Sequence, residues 1–192
     1  MLEISVFGIR FKFSFLFLAM ITAMMLCDKS GILITGFICC AAHESAHVAA
    51  FLLMGKKPES IAFEATGIKL TNPAGLLSAR RDIMILGAGC AVNFIAAAVF
   101  YKISRVYFAA NLVIGAFNLM PVYALDGGKL LYTFLCMRFL PQTARRAVSI
   151  ISAVTILPLI FFGGALLYEC GNVTLLLTSL YLLALLLFKT GG

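Results

Sequence analysis

The chain has 192 residues, of which 62% are apolar types (AVILMFWYC) and only 12% are charged, and its mean hydropathy is +1.06. Soluble domains run near 45–50% apolar and about 25% charged, so a disordered tail, a collagen, a coiled coil and a disulfide-stapled secreted module are excluded. The net charge of +7 sits in short clusters between apolar runs. The positive-inside rule accounts for that pattern better than nucleic-acid binding does.

A bilayer-spanning helix needs about 20 apolar residues. Six runs come near that length: Phe13 to Cys27 (extended back through Phe11), Gly31 to Met54, Ile83 to Tyr101, Val106 to Leu125, Ala147 to Tyr168 and Val173 to Phe188. The first is preceded by Arg10 and Lys12 but lacks a small-x-small cleavage site before Asp28, so it reads as an anchor rather than a signal peptide. The expected fold is an all-α polytopic membrane protein of about six spans. Residues 1–192 form one membrane-embedded domain, with a core at 31–140 and accessory helices at 1–30 and 141–192. Lys56, Lys57, Lys69, Arg80 and Arg81 follow the second run, and Lys129, Arg138, Arg145 and Arg146 follow the fourth. These segments belong on the cytoplasmic side with both termini, in what is expected to be a bacterial cell membrane.

Between the second and third runs, Ile61, Phe63 and Ala65 alternate with Ala62, Glu64 and Thr66, and Ile68 and Leu70 alternate with Lys69 and Thr71. That pattern predicts a short β-hairpin turning near Thr66-Gly67. An exposed edge there suits the addition of a further extended strand, held by main-chain hydrogen bonds. Residues 128–140 read as a short helix ended by Pro141. The six cysteines (Cys27, Cys39, Cys40, Cys90, Cys136 and Cys170) form no C-x-x-C pair and read as small buried hydrophobes.

The only two histidines are His43 and His47, with Glu44 between them in His43-Glu-Ser-Ala-His47. Residues four apart share a helix face, so both imidazoles can grip one Zn²⁺ while Glu44 serves as general base. Two core histidines could simply be satisfied by neighbours. An acid within a span, however, costs roughly 2.5–3.5 kcal/mol on the insertion scale and points to function. A catalytic zinc keeps three protein ligands and an open position. Asp126 is the candidate third ligand. It follows Pro121 and precedes Gly127-Gly128, and irregular backbone at membrane depth is tolerated where it lines a cavity. The simpler role for Asp126 is to cap the helix 128–140.

His43-Glu-Ser-Ala-His47 with Asn118-x-x-Pro121-x-x-x-Leu125-Asp126-Gly127-Gly128 resembles the site-2 protease family of intramembrane zinc metalloproteases, peptidase family M50. Ala88-Gly-Cys-Ala-Val-Asn93 is similar to the family's small-residue motif ending in Asn, with Cys90 and Ala124 standing where the family usually has proline. The stretch Leu125 to Leu131 and the six-run layout look most like the stage IV sporulation protein FB branch, here as a member without a CBS domain. The resemblance implies one Zn²⁺ per chain, held by His43, His47 and Asp126, with Glu44 catalytic. Asn93 and Asn118 are candidates either for contact with the substrate backbone or oxyanion, or for helix–helix hydrogen bonds. The implied partners are a membrane-associated protein substrate, such as a pro-sigma or anti-sigma factor, and regulatory membrane proteins, with no nucleic acid. A divalent-cation transporter and a catalytically inactive membrane binding protein are the alternatives. Few membrane acids argue against the first, and an intact His43-to-His47 motif argues against the second.

Overall fold

The computed structural model describes residues 2–6, 9–15, 19, 22, 26, 28, 30–55, 60–64, 67–71 and 78–190. Most of the described residues are helical, in α1 (Ile32–Leu53), α2 (Ala79–Phe100), α3 (Arg105–Asn118), α4 (Asp126–Cys136), α5 (Pro141–Cys170) and α6 (Thr174–Thr190). Four short strands, β1 (Leu2–Val6), β2 (Ile9–Phe13), β3 (Ser60–Glu64) and β4 (Gly67–Thr71), pair in the order β1-β2-β3-β4. The chain divides into two compact units, Met1–Gly115 and Ala116–Gly192.

In the first unit, α1 and α2 are each 22 residues long. At 1.5 Å per residue that is about 33 Å, enough to cross a hydrocarbon core of about 30 Å. Both helices are apolar enough to do so. A buried residue recurs every four positions, Thr35, Cys39, His43, His47 and Phe51 on α1 and Ile85, Gly89, Asn93 and Ala97 on α2, with Cys90 buried beside the second stripe. Polar groups therefore lie on the buried stripes, while Leu53, Ile95 and Val99 are exposed. This inverts the soluble pattern and suits helices surrounded by lipid. A carboxylate anchors the start of α1. Asp28 Oδ2 accepts from the Ile34 amide at 2.9 Å, and Oδ1 accepts from the Ser30 amide at 3.1 Å.

The N-terminal segment corrects the reading of 1–30 as accessory helix. Residues 9–13 form a strand rather than the start of the first span. Leu2, Ile4 and Val6 alternate with Glu3 and Ser5, and Ile9, Phe11 and Phe13 alternate with Arg10 and Lys12. Period-two alternation favours strands. β1 and β2 are antiparallel with Glu3 opposite Lys12, and these two form an ion pair at 3.0 Å. β2 then runs parallel to β3, and β3 pairs antiparallel with β4, Ile61 opposite Leu70. β3 is thus internal to the sheet. The expected turn at Thr66, and the expected first span apart from residues 13–15, 19, 22 and 26, lie outside the described residues.

In the second unit, α5 has 30 residues and is long and apolar enough to cross a membrane. α6, with 17 residues, is shorter. The expected run Val106 to Leu125 does not persist as one helix: α3 stops at Asn118, and residues 119–125 are irregular. Proline disfavours helix in the residue before it, so the helix ends ahead of Pro121. The core here is Val122, Ile156, Leu182 and Leu186, with Phe117, Met120 and Tyr123 packed against it. The irregular segment is therefore tucked under α5 and α6 rather than open to lipid.

Asp28 supplies a test of the α1 start. Its hydrogen bond from the Ile34 amide holds its carboxyl below the usual carboxylate range. A lowered folded pKa means stabilisation that is complete above the unfolded value and lost as pH falls through the folded one. Asp28→Ala should therefore speed amide hydrogen exchange at Ile34 at neutral pH, and the difference from wild type should vanish under acid. Equal exchange at neutral pH would show that the carboxylate does not anchor the helix.

Candidate metal centre

Each imidazole of the α1 pair is held at its Nδ1 by an oxygen from α2. His47 Nδ1 lies 2.7 Å from the Ile85 carbonyl oxygen, and His43 Nδ1 lies 3.1 Å from Asn93 Oδ1. A carbonyl oxygen can only accept, so each Nδ1 carries the proton and donates it. Nε2 is then the ring atom with which each histidine would bind a metal, and the two Nε2 atoms face one another at 3.1 Å. Both rings are buried, at 2% and 7% exposure.

These residues fit a zinc ion. Two imidazole nitrogens on one tetrahedral Zn²⁺, at about 2.0–2.1 Å each, stand about 3.3 Å apart. Ligating histidines commonly donate their other nitrogen to a carbonyl or amide oxygen, which fixes the tautomer and the ring orientation. Glu44, one residue along from His43, is half-buried. Cys90 is buried at 3% exposure, with its Sγ within 4.8 Å of a ring nitrogen of His43. Reading Cys90 from sequence as a plain hydrophobe gave no hint of that proximity.

Asn93 is fully buried, and its Oδ1 is the acceptor for His43. Its Nδ2 has no hydrogen-bond partner among the described residues. A buried amide N–H left unpaired costs roughly 1–3 kcal/mol. The donor is therefore unused among the described residues.

The other two sequence candidates, Asp126 and Asn118, lie in the second unit. Asp126 is 8% exposed and forms the first turn of α4, with Leu125 at the cap position, so it does not serve as the N-cap expected from sequence. Its Oδ1 accepts from Lys129 Nζ at 3.0 Å. Gly127 and Gly128 are glycines for steric reasons: a Cβ on Gly127 would collide with the Leu119 carbonyl, and one on Gly128 with the Val122 carbonyl. The chain from Leu119 to Val122 thus runs directly against the first turn of α4. Asn118 ends α3.

Ser152 is a residue the sequence reading passed over. It is fully buried on α5, and its Oγ accepts from the Tyr123 amide at 2.8 Å while lying 2.6 Å from the Val148 carbonyl, to which it donates. Irregular backbone in a membrane must be satisfied by protein, and Ser152 does this for the segment leading to Asp126. A serine in an apolar helix normally satisfies itself on the preceding turn, so its sequence carries no signal of a second partner.

Residues 103–159 match Peptidase family M50, a span that contains Asn118, Asp126 and Ser152 but not the histidines. Among solved structures, the chain is similar to the site-2 protease from Methanocaldococcus jannaschii, with a TM-score of 0.66 and 23% identity, covering 94% of this chain and 91% of that one. No curated protein matches by sequence.

Ser152→Ala should leave the Tyr123 amide without its acceptor and lower stability by about 1–3 kcal/mol. Thermal unfolding in detergent measures this, and an unchanged melting temperature would show that the hydroxyl does not support the segment.

Proposed function

We propose that the chain is a member of the site-2 protease family, peptidase family M50, and an intramembrane zinc metalloprotease that hydrolyses peptide bonds of membrane-associated or transmembrane proteins; the match of residues 103–159 to Peptidase family M50 and the likeness of fold to a solved site-2 protease support this reading. The observation that carries this reading is the pair of facing Nε2 atoms, 3.1 Å apart, with each Nδ1 engaged by an acceptor on α2.

In this reading His43, His47 and Asp126 hold one Zn²⁺ per chain. Bound zinc supplies a Lewis acid for the scissile carbonyl and makes water more acidic. The chain's own groups do the rest. Glu44 takes the proton from the attacking water and returns it to the leaving amine. Asn93 keeps His43 in the right tautomer through Oδ1 and offers its Nδ2–H, which has no partner among the described residues, to the substrate carbonyl or its developing negative charge. Asn118 offers a second donor of the same type. Lys129 Nζ, 3.0 Å from Asp126 Oδ1, would hold that carboxylate in place.

A helical substrate has its peptide bonds tied into its own ladder, so it must be presented extended. β4 pairs only with β3 among the described residues, which leaves its other side as an edge. We assign that edge to the substrate strand, in place of a two-stranded hairpin acting alone. The processing of a pro-sigma or anti-sigma factor, with regulatory membrane proteins as further partners, is the specific form that the resemblance of Leu125 to Leu131 suggests. The same reading places the chain in a bacterial cell membrane with both termini cytoplasmic.

Two experiments test this. Purified protein should carry about one zinc per chain. His47→Ala should lose most of it, while Glu44→Gln should keep the metal and abolish cleavage of a co-expressed membrane substrate. Cleavage by Glu44→Gln at the wild-type rate would refute the mechanism. Along β4, alternate residues turn their N–H toward β3 or toward the free edge. Single prolines through Gly67–Thr71 should therefore include positions that keep fold and zinc but lose proteolysis, because proline cannot donate to an added strand. Full activity from every folded, zinc-loaded proline variant would remove the edge from the mechanism.

A further inference from the structure

The face of α2 that meets the histidines consists of three residues one turn apart. Ile85 supplies a carbonyl oxygen to His47, Asn93 supplies Oδ1 to His43, and between them stands Gly89. A Cβ on Gly89 would lie 2.5 Å from His47 Nε2, 2.6 Å from His43 Nε2 and 2.7 Å from His43 Cε1. Non-bonded heavy atoms sit comfortably at about 3.5–4.0 Å, so a methyl group cannot occupy that place beside the rings as they stand.

Backbone conformation does not explain this glycine. Among the described residues the glycines with positive φ are Gly31, Gly55 and Gly171, and Gly89 lies within the regular helix α2. In such a position alanine is ordinarily the more stable residue. What the missing side chain secures is the space in front of the two nitrogens.

We propose that Gly89 is the metal-admitting residue of this site: its bare Cα leaves open the volume in which an ion must sit to reach both Nε2 atoms, while Ile85 and Asn93 on the same stripe aim the two rings at that volume. The inference rests on the reading of His43 and His47 as zinc ligands. An ion about 2.0–2.1 Å from each Nε2 and a Cβ some 2.5 Å from the same atoms lie about the same nitrogen–nitrogen axis, so the methyl crowds the ion or the position its substrate would take. To make room the imidazoles would have to swing away, and that movement breaks their hydrogen bonds to Ile85 and Asn93. Gly89 is thus a positioning residue; it touches the ligands and performs no chemistry.

The same helix supplies its own control, because a Cβ on Gly87 meets nothing within 4 Å. Gly87→Ala and Gly89→Ala would be purified beside wild type, and zinc affinity measured by competition with a chromogenic chelator. Melting temperature would be measured with and without excess chelator. Wild type and Gly87→Ala should bind alike and lose melting temperature when stripped. Gly89→Ala should bind at least about tenfold more weakly, in the range seen when groups that orient ligands are lost, and its melting temperature should ignore the chelator. Equal zinc affinity in wild type and Gly89→Ala overturns the inference. Zinc missing from wild type as well removes the underlying ligand reading, and this inference with it. Should Gly89→Ala fail to fold, the substitution is repeated in a His43→Ala, His47→Ala background. Recovery of the fold there supports crowding against the imidazoles, and persistent unfolding overturns it.

Discussion

Two imidazoles whose Nε2 atoms face each other at 3.1 Å are held there by oxygen acceptors behind them, the Ile85 carbonyl and Asn93 Oδ1. A ring free to turn would rotate its nitrogen lone pair away from the other. With Nδ1–H tied to α2, neither ring turns without giving up a buried hydrogen bond, at a cost of order 1 kcal/mol or more. The register of α1 against α2 therefore sets the geometry of the pair, and the four-residue spacing of both buried stripes is what keeps that register along the two helices.

The surroundings follow from the same demand for satisfied polar groups in an apolar solvent. The buried stripes carry Thr35, His43, His47 and Asn93, while the outward faces carry leucine, isoleucine and valine. In the second unit the helix breaks after Asn118, and the freed backbone around Pro121 to Leu125 is caught by the Ser152 hydroxyl and by bonds within the segment, such as Leu125 N–H to the Val122 carbonyl at 2.8 Å. Gly127 and Gly128 then let that backbone lie against the first turn of α4, where Asp126 is buried beside Lys129. A carboxylate that an apolar span could not tolerate alone thus gains an ion pair and a preorganised setting.

What could be read from the sequence divides along the range of the interaction. His43 and His47 are legible because a four-residue spacing is a property of one helix, and Asn93 because it ends a small-residue run that resembles a motif of the family. Ile85 was not, since its contribution is a backbone carbonyl that any residue would supply. Cys90 and Ser152 were not, since each is unremarkable in an apolar helix until a partner from a distant segment arrives. The strands β1 and β2 were hidden because Phe11 and Phe13 run directly into an apolar stretch, so a count of consecutive apolar residues outweighed the alternation of Ile9, Arg10, Phe11, Lys12 and Phe13. The end of α3 at Asn118 was obscured in the same way: hydropathy continues through Leu125, although Pro121 already marks the break.

X-ray absorption at the zinc edge tests the convergence of the two imidazoles most directly, because it reports the ligand atoms without reference to activity. The account predicts a first shell of nitrogen and oxygen at about 2.0–2.1 Å, with the outer-shell scattering of two imidazoles, and with one imidazole fewer in His47→Ala. A sulfur shell near 2.3 Å, as Cys90 would give, or the absence of imidazole scattering from zinc-loaded wild-type protein, would contradict it.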